Sequence, residues 1–407
     1  MTEPAYRVRA VRCDHLGSDD EVYQALRRAT DPLDRAWDKL ERAKRITIKF
    51  NQAWAPERRV VMAGQSQELV SEKVARAVLR LLRERTHANL ACVEISTGMQ
   101  RTAQFESFMT LLPVLREFDV PVIDGNRPPF RLCQVPGGGS MFKQYLLPSS
   151  TVDTDAFVSV AKLKNHRFMG VTMCLKNLFG LPPLEPHGRY RGYFHHLMRL
   201  PNVLVDLGRM VQPTLNIADA LVSQAGAEWG GEGRVSNTLI AGDHVIATDA
   251  CGVHLMGYDT RADWPTEPFG GDRNWLLIAE KAGFGTARLE EIDFTSEVER
   301  PIAEYLRSEW IPKPRQAKWR RTMSQQALYY RDHPKEYAEF AGEFVLMQDH
   351  KVIWHHTNSN PGMSRTVLSA QNQDSGLWMK YIDPEEAEGE HYEVYEDTLA
   401  YLDQLGL

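Results

Sequence analysis

RITIKFNQAWAPERRVVMAGQSQELVSEKVARAVLRLLRERTHANLACVEI, residues 45–95, reads as one strand, one helix and a second strand in that order. Residues 45–50 are β-branched and alternating, the pattern of a strand with a buried face, and the loop after them opens with Asn51. Ser66 is placed to cap a helix over residues 66–85, in which Leu69, Val70, Val74, Ala77, Val78 and Leu81 recur at three and four and form one apolar face. Residues 89–95 read as a strand that runs into the polar turn Ser96, Thr97, Gly98. A helix over 105–118 and a strand over 120–123 follow, ending at Asp124. Strands and helices that alternate with short connections build a parallel sheet with crossover helices. The expected fold is therefore α/β and Rossmann-like, with a mostly parallel sheet. No G-x-G-x-x-G opens the first helix, so no classical dinucleotide site is expected. Gly137, Gly138 and Gly139 lie between short extended segments and read as a flexible hairpin turn.

Bulk composition narrows the class. The chain has 407 residues, 43% hydrophobic and 25% charged, which suits a large globular fold. Its net charge of −6 argues against nucleic acid as a partner, because phosphate binding needs a basic excess. The five cysteines are scattered with no C-x-x-C spacing, so they read as reduced thiols, and no iron–sulfur cluster is expected from them. No stretch approaches the length of a membrane span, and cytoplasm is the expected location, with no membrane partner. From about residue 300 the chain becomes richer in Trp, Tyr, Arg and Gln. Residues 1–300 are expected to form the α/β core, and 301–407 a mixed C-terminal appendage packed on it, serving as a lid or an interaction region.

The chemistry gathers around the strand expected over residues 156–163. Side chains alternate along a strand, so Val158, Val160, Lys162, Lys164 and His166 share one face if the extended backbone persists. That face turns from apolar to cationic where the strand leaves the sheet, and ligands of open α/β sheets bind at such carboxyl ends. A helix over 171–179 would bring Lys176 and Asn177 back over the same region before Gly180, Pro182 and Pro183 stop it. Several cations on one face repel each other unless an anion sits among them: a substrate, or the protein's own acids in a buried ion network. The strand over 214–217 is expected to end in Asp219, and Asp249 lies in a helix over 245–256; each can serve as a base or as an ordinary cap. His187, His195 and His196 follow the Lys-Asn pair and suit proton transfer or metal ligation. No H-x-H or H-E-x-x-H spacing is present, and the sequence leaves metal binding undetermined. The glycine-rich loop at residues 226–233 can let backbone N–H groups meet an anion, or be a plain turn.

These residues resemble a known family. Ala161-Lys-Leu-Lys-Asn-His166, Val171-Thr-Met-Cys-Leu-Lys-Asn-Leu-Phe-Gly180, Asn216-Ile-Ala-Asp-Ala220 and Ala241-Gly-Asp-His-Val-Ile-Ala-Thr-Asp-Ala250 are similar to the domain-of-unknown-function 362 family, over about residues 46–285. The resemblance implies a site built from Lys49, Asn51, Lys162, Lys164, His166, Lys176, Asn177, Asp219 and Asp249, with His195 as the histidine after the Lys-Asn pair. Many members carry a ferredoxin-like cysteine module, which this chain lacks.

The expectation is an enzyme acting on a small anionic, carboxylate-type metabolite. Lys162, Lys164 and Lys176 would hold the anion, His166 or His195 would move the proton with Asp219 as partner, and Lys49, Asn51, Asn177 and Asp249 would bind substrate. Lyase, isomerase or decarboxylase chemistry needs no more; a lysine desolvated among cations can also act as a Schiff-base nucleophile. The alternatives are a metal-dependent, redox-capable enzyme with His and Asp ligands, and a non-catalytic binding or assembly protein. No cofactor, substrate identity or oligomeric state follows from the sequence.

Overall fold

The computed structural model describes residues 6–53, 57, 59–95, 102–184, 193–309, 311–359 and 375–407. Nine strands form the main sheet: β1 Tyr6–Arg12, β2 Arg45–Phe50, β3 Asn89–Glu94, β4 Val122–Asp124, β5 Ala156–His166, β6 Gly170–Thr172, β7 Leu215–Ala225, β8 Glu232–Gly242 and β9 Ile292–Ser296. Their spatial order is β9-β1-β8-β7-β5-β2-β3-β4, with β6 folded back on β5. From β7 to β4 five neighbours run parallel, while β8 is antiparallel to both β7 and β1. The chain leaves β2 toward β3 and β4, then returns to β2's other side as β5 and β7, so the order reverses between β2 and β5. Such a switch point leaves a crevice at the carboxyl ends of the two strands.

Helices cover both faces. On one side lie α1 Asp19–Thr30, α2 Asp34–Arg42 and α3 Glu72–Arg85, packed through residues such as Leu26, Trp37 and Val78 onto Ile48, Val158 and Ile217. On the other lie α4 Cys174–Asn177, α5 Arg199–Val211 and α6 Val245–Leu255, against Phe157, Ala161 and Ala218. Sheet strands buried on both faces read as continuous apolar runs. All eleven residues of β5 and of β7 are buried.

Several boundaries differ from the sequence reading. The helix expected over 66–85 begins at Glu72, because Gln65–Ser66 pairs with Val61–Met62 in a short hairpin and Leu69 and Val70 are spent on burial. Ser71 is the residue at its N-terminus. The helix expected over 105–118 is two pieces, Thr102–Phe108 and Leu112–Glu117, with Pro113 in the first turn of the second. Residues 171–179 are not one helix: Gly170–Thr172 first returns along β5, and only Cys174–Asn177 is α-helical. Gly170 takes φ +79°, and a Cβ there would stand 2.4 Å from the Pro268 carbonyl oxygen, so the return needs glycine. β7 continues well past the expected end, which places Asp219 inside the strand. The triple glycine does sit in a turn joining antiparallel Phe130–Gln134 and Gln144–Pro148. Ser96, Thr97 and Gly98 lie outside the described residues.

The C-terminal region contributes α7 Lys313–Asp332, an antiparallel sheet of β10 Phe344–Gln348, β11 Lys351–His356 and β12 Trp378–Tyr381, and α8 Glu393–Gln404. Tyr330, Phe344, Trp378 and Tyr395 join the same apolar cluster as Phe142 and Tyr193. Fully buried ion pairs reinforce the seam. Arg199 donates to Glu390 at 2.6 Å, and Lys380 to the same carboxylate at 3.0 Å. No helix among the described residues is long and apolar enough to cross a membrane.

Candidate functional site

A cavity of about 140 Å³ opens at the switch point, lined by residues at and just beyond the carboxyl ends of β2, β3 and β5. Lys49, Asn51, Lys162, Lys164, His166, Lys176, Asn177 and His195 all line it, with Glu94, Phe179, Glu228 and Trp229. Among the described residues, none that lines it lies beyond Trp229, so the C-terminal region places no described side chain over the opening.

The cations differ in how they are compensated. The parallel register sets Asp219 of β7 beside Lys162 of β5, and Lys162 Nζ donates to Asp219 at 3.0 Å with both side chains fully buried. Burial still pushes the Lys162 amine below the ordinary lysine value against the pull of Asp219. Asp219 also accepts from the backbone N–H groups of Ser71 at 2.8 Å and Leu221 at 3.1 Å, so its lone pairs are committed and it stands behind the cavity wall. Lys49 Nζ donates to Glu94 at 2.7 Å, and burial raises that carboxyl although Lys49 opposes the shift. Two of the lysines are thus held by the protein's own acids, in a buried ion network.

Lys164 is held differently. Its Nζ donates to the backbone carbonyl of Glu68 at 2.7 Å and lies 4.4 Å from the centroid of the Trp229 ring. Among the described residues no carboxylate comes within ion-pair distance of it. Burial therefore lowers its pKa to about 8, with Glu68 and Glu228 opposing from a distance and Lys162 adding repulsion. A fraction of this amine is neutral near neutral pH, where an ordinary lysine is almost wholly charged.

His166 sits two residues on, where β5 turns back into β6. Its Nδ1 accepts from the backbone N–H groups of Phe168 and Met169, each at 3.1 Å, which assigns the ring proton of the neutral form to Nε2. Glu228 lies 3.7 Å from that Nδ1 and accepts from the Arg167 N–H at 3.1 Å. His195 stacks on Phe168 with centroids 5.6 Å apart and meets Phe179 edge-on at 5.5 Å, which sets its ring 6.3 Å from that of His166. His196 turns the other way, to the Leu377 carbonyl at 3.1 Å, and His187 lies outside the described residues.

Two further residues act on the backbone. Asn177 donates to the Lys49 carbonyl at 2.9 Å and the Ser159 hydroxyl at 3.1 Å, pinning α4 across β2 and β5. Asp249, fully buried in α6, accepts from the Cys174 and Leu175 N–H groups at 3.0 Å each. It caps the short helix that carries Lys176, whose amine lies 4.4 Å from the Phe179 ring centroid, and it does not line the cavity. Desolvation outweighs those two bonds and raises its pKa to about 7.

Glu68, Glu94, Glu228 and Trp229 escaped the sequence reading. Glu94 had a signal: an acid closing an otherwise apolar strand in a parallel sheet sits where ligands bind. Glu228 and Trp229 lie in the glycine-rich loop, which the sequence left undecided between anion contact and plain turn. Among the described residues no three His, Cys, Asp or Glu side chains converge as a metal group would require.

The chain is 28% identical over 144 residues to the thylakoid-associated protein sll1697 of Synechocystis sp., an alignment covering 34% of this chain and 42% of that relative's length. Among solved structures, the lactate racemase apoprotein from Thermoanaerobacterium thermosaccharolyticum superposes with a TM-score of 0.38 and 16% identity, over 61% of this chain and 56% of that one. The family model described as Domain of unknown function (DUF362) matches residues 46–254, just over half of the sequence, and the chain belongs to that family.

Proposed function

We propose that this protein is an enzyme acting on a small carboxylate by lysine and histidine acid–base chemistry of the lyase, isomerase or decarboxylase type. The observation that carries the reading is Lys164: a buried amine on the cavity wall, beside His166, with no carboxylate of the described residues within ion-pair distance. A buried cation without a counter-ion is costly, and an anion supplied by substrate offsets that cost. Lys164 and Lys176 hold the carboxylate and stabilise charge that develops next to it, which is usually the largest source of rate acceleration in such sites. His166, whose Nε2 bears the ring proton in its neutral form, exchanges that proton with the substrate carbon or its leaving group. Lys49 and Lys162, tied to Glu94 and Asp219, form buried ion pairs that frame the cavity.

The test is solvent deuterium exchange at carbon. Small 2-hydroxy, 2-oxo and 2-amino monocarboxylates are incubated with the protein in D₂O and followed by proton NMR. Exchange is expected for at least one class, at C2 of the hydroxy or amino acids or at C3 of the 2-oxo acids, slowed by ~10²–10⁴ in His166→Gln, the usual worth of a positioned acid–base group. Binding without exchange in any class would move the site to the non-catalytic alternative.

A further inference from the structure

We infer that Lys164 forms a Schiff base with the carbonyl of a small 2-oxo monocarboxylate, an inference that rests on the carboxylate reading above and names its substrate class. Three features separate Lys164 from its neighbours. Lys49 and Lys162 donate to carboxylates, which hold their lone pairs as N–H bonds, whereas the Lys164 ammonium donates to a neutral backbone carbonyl. Its pKa of about 8 makes the nucleophilic amine accessible near neutral pH. The Trp229 ring over Nζ stabilises a cation at that nitrogen, and an iminium is a cation at the same nitrogen.

Charge and size narrow the partner. Four lysines, Lys49, Lys162, Lys164 and Lys176, stand on the lining, with Glu94 and Glu228 on the same wall and Asp219 and Glu68 off it. Ammonium donors gathered on one wall suit a carboxylate, which accepts charge-assisted hydrogen bonds from them. The cavity of about 140 Å³ has room for a short 2-oxo acid.

The chemistry balances with the residues present. The neutral Lys164 amine attacks the carbonyl carbon, a C–N bond forms, and the C=O π pair moves to oxygen. The new ammonium gives one proton to solvent while the oxygen takes one from the Nε2–H of His166, which solvent replaces, giving a neutral carbinolamine. The hydroxyl then takes a second proton, drawn from solvent through His166, and leaves as water while the nitrogen lone pair closes the C=N⁺ bond. The iminium withdraws electrons from C3, so a proton can leave that carbon to solvent while its electron pair moves toward nitrogen as an enamine.

Pyruvate and 2-oxobutyrate are the probes. Full-length protein is incubated with each plus cyanoborohydride at pH 8, then read by intact mass and by peptide mapping, with propionate as a competitor that lacks the carbonyl. Propionate binding is measured separately by tryptophan fluorescence. The expected result is one reduced adduct per chain, on Lys164, suppressed by propionate and absent from Lys164→Arg. Because the map reads the unmodified sequence, the assignment stands even if the variant folds poorly. Propionate binding with no adduct at Lys164 overturns the Schiff base and leaves the carboxylate site. Neither binding nor adduct overturns both readings, and adducts spread over surface lysines at the level of urea-unfolded protein overturn the Schiff base.

Discussion

Replacing Asp249 by Asn tests whether the cap beneath the site is a titrating group. In the native chain Asp249 accepts the N–H groups of Cys174 and Leu175 from a fully buried position, and burial raises its pKa from 3.8 to about 7. Between those values the folded state keeps a proton that the unfolded chain has lost. Stability contributed by this group is therefore complete below about pH 4, falls as pH rises, and levels off above about pH 7. A displacement from 3.8 to about 7 corresponds to ~4 kcal/mol in total, of which ~2.5 falls between pH 5 and pH 8. Asparagine keeps the shape but does not titrate, and its NH₂ leaves one of the two helix N–H groups without an acceptor, a cost of ~1–3 kcal/mol at every pH. The stability difference between variant and parent should thus move by ~2.5 kcal/mol in the variant's favour from pH 5 to pH 8. Urea unfolding followed by circular dichroism at both pH values measures it. A difference that stays constant within ~0.5 kcal/mol would mean that Asp249 is ionised throughout and that the two N–H bonds, not desolvation, set its state.

Lys162→Met should lose ~3–5 kcal/mol because it strands Asp219 as a buried charge, and Lys162→Met with Asp219→Asn should recover part of that; urea midpoints of the three proteins decide it. Gly180→Ala puts a Cβ 2.8 Å from Lys49 Cε and 3.2 Å from its Nζ, so it should cost ~1–3 kcal/mol by overpacking and weaken small-carboxylate binding in the same cavity, read by denaturation and fluorescence titration. Trp229→Ala admits water to Lys164: the lost ring contact is worth ~1 kcal/mol, less than the ~3 kcal/mol of desolvation relieved, so the amine's pKa should rise toward 10.5. Competitive acetylation of Lys164 at pH 7.5 should then slow several-fold, and a faster reaction would contradict the assignment.

Sequence pattern carried the parallel core because each strand and its crossover helix bury a face whose period is visible: β2, β5 and α6 lie close to where the apolar spacing put them, and α3 ends where expected but starts later. What the pattern missed depends on partners distant in the chain. Ser66 and Ser71 are both fair helix caps, and only the pairing of Gln65–Ser66 with Val61–Met62 chooses between them. Asp219 looked like a strand end because an acid inside a buried strand is costly, and the cost is met by Lys162 in the neighbouring strand. The Lys-x-Lys-x-His face was legible through strand alternation. Which of its lysines lacked an acid was not, since Asp219 approaches from another strand. Asp249 was grouped with the site, yet it acts one layer below, on the backbone of the helix that carries Lys176 and Asn177.

The loop carrying His195 is anchored from far along the chain: Arg199 just after it bonds to Glu390, 191 residues on, and His196 meets the Leu377 carbonyl 181 residues on. The five parallel strands are complete by residue 225. A chain emerging during synthesis can therefore assemble its sheet and its Lys162 and Lys49 ion pairs while the histidine wall is still unsupported. The loop that carries His195 is anchored only when the final stretch docks, so the order in which the chain is made separates the moment the sheet forms from the moment that loop is held.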